Sequence, residues 1–364
     1  MTAPNDLASA ALRAQFAAAL GEETRSSRWL AAFADVPREH FVPRFYRQDG
    51  RGHWYEVSEG DPGHLEAVYS DTALTTQLDA HGVPTSSSSE PRLMLAMLDA
   101  LDAEPGHRLF ELGLGTGYNA ALASSLLGSD NVVSVDVDPD LVRRARQHLA
   151  RGRYRPHVFA GDGVKGCPDR APYDRIIATA ALRRIPPALL AQAGAGAVVV
   201  APIGFGVARC VVSGAGEATG RFLPVPAHFM PRRRPAMAPD FAGLEAEAGR
   251  ATSVPVTDVL DRLKFPLSLA LPGYRSCSWL DDAGAVTGVG LWTEDGSTAT
   301  LHASGKARQI GPQRLWDVVE ELVTAFPDGA PAREDFGLTV TPAEQRVWYG
   351  EPDGVSWPLQ WGRG

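Results

Sequence analysis

Between His107 and Pro202 short apolar runs alternate with helical stretches, and the first run ends on a glycine-rich turn. No other pattern in the chain constrains the fold as strongly. Parallel strands covered on both faces read as near-continuous apolar runs, and they need helical crossovers between them. The runs are His107–Leu112, Asn131–Asp136, His157–Ala160, Tyr173–Thr179 and Gly196–Pro202, with helices predicted over 117–127, Pro139–Arg151 and Pro186–Ala193. The expectation is an α/β fold with a doubly wound parallel sheet. Cys210–Ser213 and Phe222–Met230 read as an antiparallel hairpin that finishes it.

The flanks differ in style. Residues 5–34 are Ala- and Leu-rich at helical spacing and predict two helices, ended by Pro37 and Pro43. The polar and aromatic stretch 44–72 reads as loops with short extended pieces. A helix is predicted after the serine run 86–89: Ser89 suits an N-cap, Pro91 the first turn, and Leu93, Met94, Met97, Leu98 and Leu101 form its apolar stripe. The proline-rich stretch 231–240, with Arg232-Arg233-Arg234 inside it, reads as a solvated linker. Beyond it, strands over 274–302, a helix near 312–326 and strands near 336–340 and 345–349 give a smaller α+β pattern. The expected division is a helical and loop segment over 1–75, the α/β domain over 76–235 and an accessory domain over 241–364.

Chemistry concentrates at the ends of the first three parallel strands. Glu111-Leu-Gly-Leu-Gly-Thr-Gly117 joins a strand to a helix, where glycines let the backbone approach a ligand closely. The spacing GxGxG lacks the third glycine of the dinucleotide fingerprint, and there is no GK[ST] of a phosphate loop. Asp136 ends the next strand, where a carboxylate can accept both hydroxyls of a ribose. Gly161-Asp162-Gly163 follows the third strand, where an acid can meet an adenine amino group beside a backbone amide. Acid and glycine at three successive strand ends predict an S-adenosylmethionine site rather than a site for NAD.

Composition excludes other classes. The formal charge of −8 argues against binding a phosphate backbone, so no nucleic-acid partner is expected. Cys167, Cys210 and Cys277 are isolated, and the nine histidines are scattered, so neither a disulfide framework nor a metal site is expected. No apolar run approaches the ~20 residues of a membrane span, and the N-terminus has no signal pattern. The expectation is a cytoplasmic protein with no membrane partner. Of eight tryptophans, Trp279, Trp292, Trp316, Trp348, Trp357 and Trp361 crowd the accessory region, as a second core or a peptide-binding surface.

Residues 36–204 resemble the protein-L-isoaspartate O-methyltransferase family. The resemblance is carried by Val36–Pro43, Tyr69–Leu74, Ser87–Pro91, Glu111–Gly117, Gly161–Gly163, Ala171–Asp174, Ala178–Ala181 and Gly204. It implies a Rossmann-like class I methyltransferase sheet, with S-adenosylmethionine as cofactor and S-adenosylhomocysteine as its product. The family's active-site serine falls on Ser89. Its cofactor contacts fall on Ser86, Ser87, Ser88, Glu111, Gly113, Asp136, Val137, Asp162 and Gly163, with Gly115 and Gly117 completing the glycine turn.

Two departures from a minimal family member stand out: the longer, more aromatic stretch 44–68, and about 130 residues from 235 onward. In these the chain resembles the extended methyltransferases of ribosomal-peptide maturation, in lanthipeptide and graspetide systems. That likeness implies methylation of an Asp side chain in a cyclised precursor peptide, the ester going on to aspartimide or isoaspartate. The alternatives are repair of isoaspartyl residues in damaged proteins, and a binding module that has lost the chemistry.

Overall fold

The computed structural model describes residues 4–22, 27–214, 216–230, 239–246, 248–302 and 305–359. It divides into two compact units. One is Met1–Ala180 with Ile185–Ala201 and Arg209–Ala218, and the other is Ala181–Arg184, Pro202–Ala208 and Thr219–Gly364. The segment 1–75 therefore does not stand apart from the α/β sheet. Helices α1 (Pro4–Gly21) and α2 (Ser27–Asp35) bury Phe16, Leu20, Trp29 and Phe33 in the first unit, and Phe33 meets the ring of Tyr118 edge-on at 6.1 Å.

The stretch predicted as loops is more regular than expected. Strands β1 (Arg44–Gln48) and β2 (Trp54–Ser58) form an antiparallel hairpin in which buried Phe45 faces buried Val57. The short helix α3 (His64–Val68) follows, then β3 (Leu74–Leu78) and β4 (Pro84–Ser88). The sheet order is β2-β1-β3-β4. Few apolar residues mark these strands, because only one face meets the core. The serine run is thus mostly a strand, with Ser88 opposite Leu74 and Ser87 opposite Thr75. Helix α4 (Pro91–Leu101) has Glu90 at its N-cap position and not Ser89, and no side chain caps it. Pro91 opens the helix without an N–H to satisfy, which lessens the need for a cap.

The parallel layer follows: β5 (Leu109–Leu112), α5 (Tyr118–Leu127), β6 (Val132–Asp136), α6 (Pro139–Arg151), β7 (His157–Ala160), β8 (Tyr173–Ala178), α7 (Pro187–Ala191), β9 (Ala193–Ile203) and β10 (Gly206–Gly214). The order is β10-β9-β8-β5-β6-β7, and every pairing from β9 to β7 is parallel. Strands β6 and β7 extend to one side of β5, while β8 and β9 extend to the other. The resulting switch point opens a crevice beyond the carboxyl ends of β5 and β8. Helix α6 shows how local sequence supports this layer. Asp138 caps it by accepting from the amides of Asp140 and Leu141, and Leu141, Val142, Ala145 and Leu149 form its buried face.

The second unit contains β11 (Glu217–Pro226), β12 (Arg250–Ala251), α8 (Val256–Leu260), α9 (Lys264–Ala270), β13 (Arg275–Leu280), β14 (Val286–Trp292), β15 (Thr298–His302), β16 (Lys306–Ile310), α10 (Leu315–Ala325), β17 (Phe336–Val340), β18 (Gln345–Tyr349) and β19 (Ser356–Pro358). Its strands run in the orders β12-β16-β15-β14-β13 and β19-β18-β17-β11. Trp292, Trp316 and Trp348 are buried, so those three serve a second core. The second strand of the expected hairpin stops at Pro226, short of Met230. Arg232-Arg233-Arg234 and Trp361 lie outside the described residues. No described helix is long and apolar enough to cross a membrane.

Candidate active site

The glycine turn after β5 is held from both sides. The amides of Gly113 and Leu114 donate to the carbonyl of Val135 at 2.9 and 3.0 Å, and the Thr179 hydroxyl donates to the carbonyl of Gly113 at 2.6 Å. Gly113, Gly115 and Gly117 all have positive φ, at 106°, 52° and 86°, a region that L side chains seldom adopt. Their surroundings separate their roles. A Cβ on Gly113 would lie 2.5 Å from the Thr179 hydroxyl, and one on Gly117 would lie 3.2 Å from the Ala145 methyl of α6. Gly163 is bare for a similar reason, since a Cβ there would lie 2.6 Å from Leu112 Cγ. Gly115 has more room, its nearest neighbours being the Ser87 carbonyl at 3.7 Å and Ser86 Oγ at 3.9 Å. Gly117 and Gly163 are buried, so as expected ligand contacts they give way to helix and strand packing.

Asp136 closes the turn from β6. Its Oδ2 accepts from the Gly115 amide at 2.8 Å and its Oδ1 from the Asp138 amide at 3.1 Å. Burial raises its pKa against these hydrogen bonds. Val137 beside it is 70% exposed, an apolar face next to a carboxylate at a strand end. Asp162, at the end of β7, is exposed and accepts from the Val164 amide at 3.3 Å.

Glu111 is elsewhere than expected. It has no exposed surface, and lies beneath the turn rather than on it. Its carboxylate accepts from Ser134 Oγ at 2.5 Å and Asn119 Nδ2 at 2.7 Å, joining β5 to β6 and α5. Burial pushes its pKa up to about 7, because two neutral donors only partly replace water around a charge. Buried beneath the turn, Glu111 ties together the three elements that carry it.

The serines of β4 divide by the strand's alternation. Ser86 and Ser88 are buried, while Ser87 and Ser89 are half-buried. Thr76 donates to Ser86 Oγ at 3.3 Å, and Ser88 Oγ accepts from Nε and Nη2 of Arg38 at 3.3 and 3.1 Å. Ser88 is therefore engaged within the protein and does not face a ligand. The Ser89 hydroxyl has no hydrogen-bond partner among the described residues. Gln77 of β3 donates to Asp138 Oδ2 at 2.9 Å, which brings this hairpin to the Asp136–Asp138 turn.

Sequence reasoning assigned no role to two further groups. Arg38 is fully buried and reaches both the Val68–Thr72 loop and the Ser88–Ser89 segment. Asp71 accepts from the amide and Nε of Arg92 at 2.9 and 2.8 Å, pinning the same loop to the first turn of α4. The signal for Arg38 was its place within Val36–Pro43, but nothing in a lone arginine announces burial. His64 is 1% exposed, donates from Nε2 to the Val42 carbonyl at 3.0 Å and stacks on Phe45. It belongs to the core.

The residues present fit S-adenosylmethionine. Gly115 brings the turn close to Ser86–Ser87, Asp136 offers carboxylate oxygens to a ribose, and exposed Val137 offers an apolar face to a base.

Residues 61–214 match the family model described as protein-L-isoaspartate(D-aspartate) O-methyltransferase. The protein-L-isoaspartate O-methyltransferase of Ignicoccus hospitalis is 36% identical over 174 residues, covering 47% of this chain and 71% of that one. The protein of the same name from Thermococcus onnurineus is 40% identical over 183 residues, covering 50% of this chain and 71% of that one. A solved structure titled protein-L-isoaspartate O-methyltransferase aligns over 93% of this chain and 100% of its own, with a TM-score of 0.56 and 19% identity, a likeness of fold.

Proposed function

Because this chain belongs to the protein-L-isoaspartate O-methyltransferase family, whose methyl donor is S-adenosylmethionine, we propose that it esterifies an aspartyl-type carboxylate of a peptide held at Ser89. The observation that carries this reading is the Ser89 hydroxyl. It is half-buried, has no partner among the described residues, and lies two residues beyond Ser87, which with Ser86 faces Gly115 of the glycine turn.

The cofactor supplies an electrophilic sulfonium methyl. A carboxylate is already ionised at neutral pH, so its oxygen needs no general base to attack. The protein's task is alignment and exclusion of water. Asp136 would receive the ribose hydroxyls, Val137 the face of the adenine and Asp162 its amino group. Ser89 would donate its O–H to one carboxylate oxygen and leave the other directed at the methyl. A neutral hydroxyl suits this better than a cation, because a tight grip would stabilise the nucleophile more than the transition state.

For the acceptor we propose an Asp side chain in a pre-cyclised ribosomal peptide. Attack by the following backbone amide would expel methanol from the ester and leave an aspartimide. The aromatic β1–β2 hairpin with Tyr46, Trp54 and Tyr55 supports a dedicated peptide partner. A second reading, repair of isoaspartyl residues, is supported by the relatives of that name. It is also supported by the solved structure whose full length this chain matches, since an additional unit is then no mark of peptide maturation. Offering the enzyme a cyclised aspartyl peptide and a linear isoaspartyl hexapeptide in parallel separates the two. Methylation of the cyclised peptide supports the first reading, and methylation of the hexapeptide alone overturns it.

A further inference from the structure

Arg38 is the most deeply buried charged group with a direct line to the acceptor site. It lies on a single 3-10 turn, Arg38–His40, and has no exposed surface. Its Nη1 donates to the carbonyls of Val68 at 2.9 Å and Ser70 at 3.1 Å. Its Nη2 donates to the carbonyls of Thr72 at 3.3 Å and Ser89 at 3.1 Å, and shares Ser88 Oγ with Nε. All three guanidinium nitrogens are used. None of these acceptors is a carboxylate, and the nearby Asp71 is bonded to Arg92. The positive charge is met by carbonyl and hydroxyl dipoles and by the ring of Tyr118, whose centroid lies 5.9 Å from Cζ, while Asp71 acts on it from a distance without a hydrogen bond.

Burying an arginine without an anion is costly, and a fold gains little from the charge itself when neutral donors could bind the same carbonyls. The Nη2 of Arg38 lies 3.1 Å from the Ser89 carbonyl, so its charge is felt by an anion brought to that residue. We propose that Arg38 is a positioning residue for methyl transfer: it clasps the Val68–Thr72 loop and the Ser88–Ser89 segment into one wall, and its charge favours the acceptor's carboxylate at Ser89. This rests on the acceptor site proposed above. Arg38 touches no reacting atom and acts through the backbone of Ser89 and the hydroxyl of Ser88. The fork geometry matters because one guanidinium spans both segments, which no single point donor can do.

The test uses the full chain and whichever acceptor the wild type methylates, the cyclised aspartyl peptide or the linear isoaspartyl hexapeptide. Arg38→Met is expected to raise the acceptor KM by about 30-fold, in keeping with loss of hydrogen bonds from a charged donor. The KM for S-adenosylmethionine stays within about twofold, since Arg38 makes no contact with the glycine turn. Arg38→Lys, which keeps the charge but not the fork, recovers part of the acceptor KM. A purely structural role would instead weaken both substrates together, and lysine would rescue neither. Should Arg38→Met fail to fold, Ser88→Ala decides. It removes only the shared hydroxyl, and is expected to lower kcat about tenfold with the KM for S-adenosylmethionine unchanged. Wild-type values for both variants would overturn the role of Arg38 alone. Failure of the wild type to methylate either peptide would overturn the Ser89 reading and this proposal with it.

Discussion

The amide of Gly115 donates to Oδ2 of Asp136 over 2.8 Å, so the turn after β5 and the acid at the end of β6 form one wall of the crevice. The carboxylate has a structural duty, to which the proposed function adds the reception of a ribose. Its second oxygen accepts from the Asp138 amide, which starts the turn into α6. A cofactor ribose would meet a carboxylate already fixed in direction, which lowers the entropy cost of binding.

Asp136→Asn keeps one acceptor oxygen and most of the turn, but loses the charge. Affinity for S-adenosylhomocysteine is expected to fall about tenfold to a hundredfold, corresponding to the loss of a charge-assisted pair of hydrogen bonds. Calorimetric titration of the purified chain measures this. Thermal unfolding without ligand should also reveal a loss of about 1–3 kcal/mol, since only one of the amides of Gly115 and Asp138 keeps a partner oxygen and the other meets an NH2 group.

Gly115→Ala and Gly117→Ala should fail in opposite ways. Both positions have positive φ, so each substitution carries roughly 1–2 kcal/mol of backbone strain. At Gly117 the new methyl also meets Ala145 at 3.2 Å, which adds a packing penalty to α5 and α6. At Gly115 the methyl would touch the Ser87 carbonyl at 3.7 Å and Ser86 Oγ at 3.9 Å without a clash, at the edge of the proposed cofactor site. The expected result is a larger drop in melting temperature for Gly117→Ala, and a larger loss of S-adenosylhomocysteine affinity for Gly115→Ala.

Glu111 gives the stability a pH dependence with a definite sign. Its folded-state pKa is raised from 4.5 to about 7, so the folded state holds its proton more tightly than the unfolded one. That contribution is fully present below the unfolded value and is lost as pH rises through the folded one. Glu111→Gln removes it while Asn119 and Ser134 keep a partner. Denaturant titrations from pH 4 to 8 should show the variant gaining on the wild type by a few kcal/mol as pH rises. A constant gap between the two would contradict the role given to Glu111.

The parallel sheet was legible because its strands are buried on both faces and therefore announce themselves as apolar runs. Asp136 and the glycine turn were legible for a related reason, since strand ends at a switch point are where glycine and acid have work to do. The serine strand β4 was not legible. Its register against Leu74 and Thr75 is set by β3, and serines carry no period-2 signal. Arg38 could be read as part of a motif but not as a buried clasp, because its acceptors come from residues 30 to 51 positions away. The glycines were found as a group, and only the structure separates Gly117 and Gly163, which pack against Ala145 and Leu112, from Gly115, which faces Ser86 and Ser87. Glu111 shares its motif with those glycines, yet its side chain points away from the crevice into the contact between β5, β6 and α5.

The central claim is that the Gly113–Gly115 turn, Asp136 and Ser89 together make a carboxyl methyltransferase. The most direct measurement is transfer of a labelled methyl group from S-adenosylmethionine to the cyclised aspartyl peptide or the isoaspartyl hexapeptide, followed by mild base. A carboxyl methyl ester releases its label as volatile methanol, whereas methyl groups on nitrogen or on an alcohol oxygen stay attached. The account predicts base-labile label on one of the two peptides, reduced about tenfold or more in Ser89→Ala while affinity for S-adenosylhomocysteine is kept. Base-stable label, or equal transfer by Ser89→Ala, would contradict it.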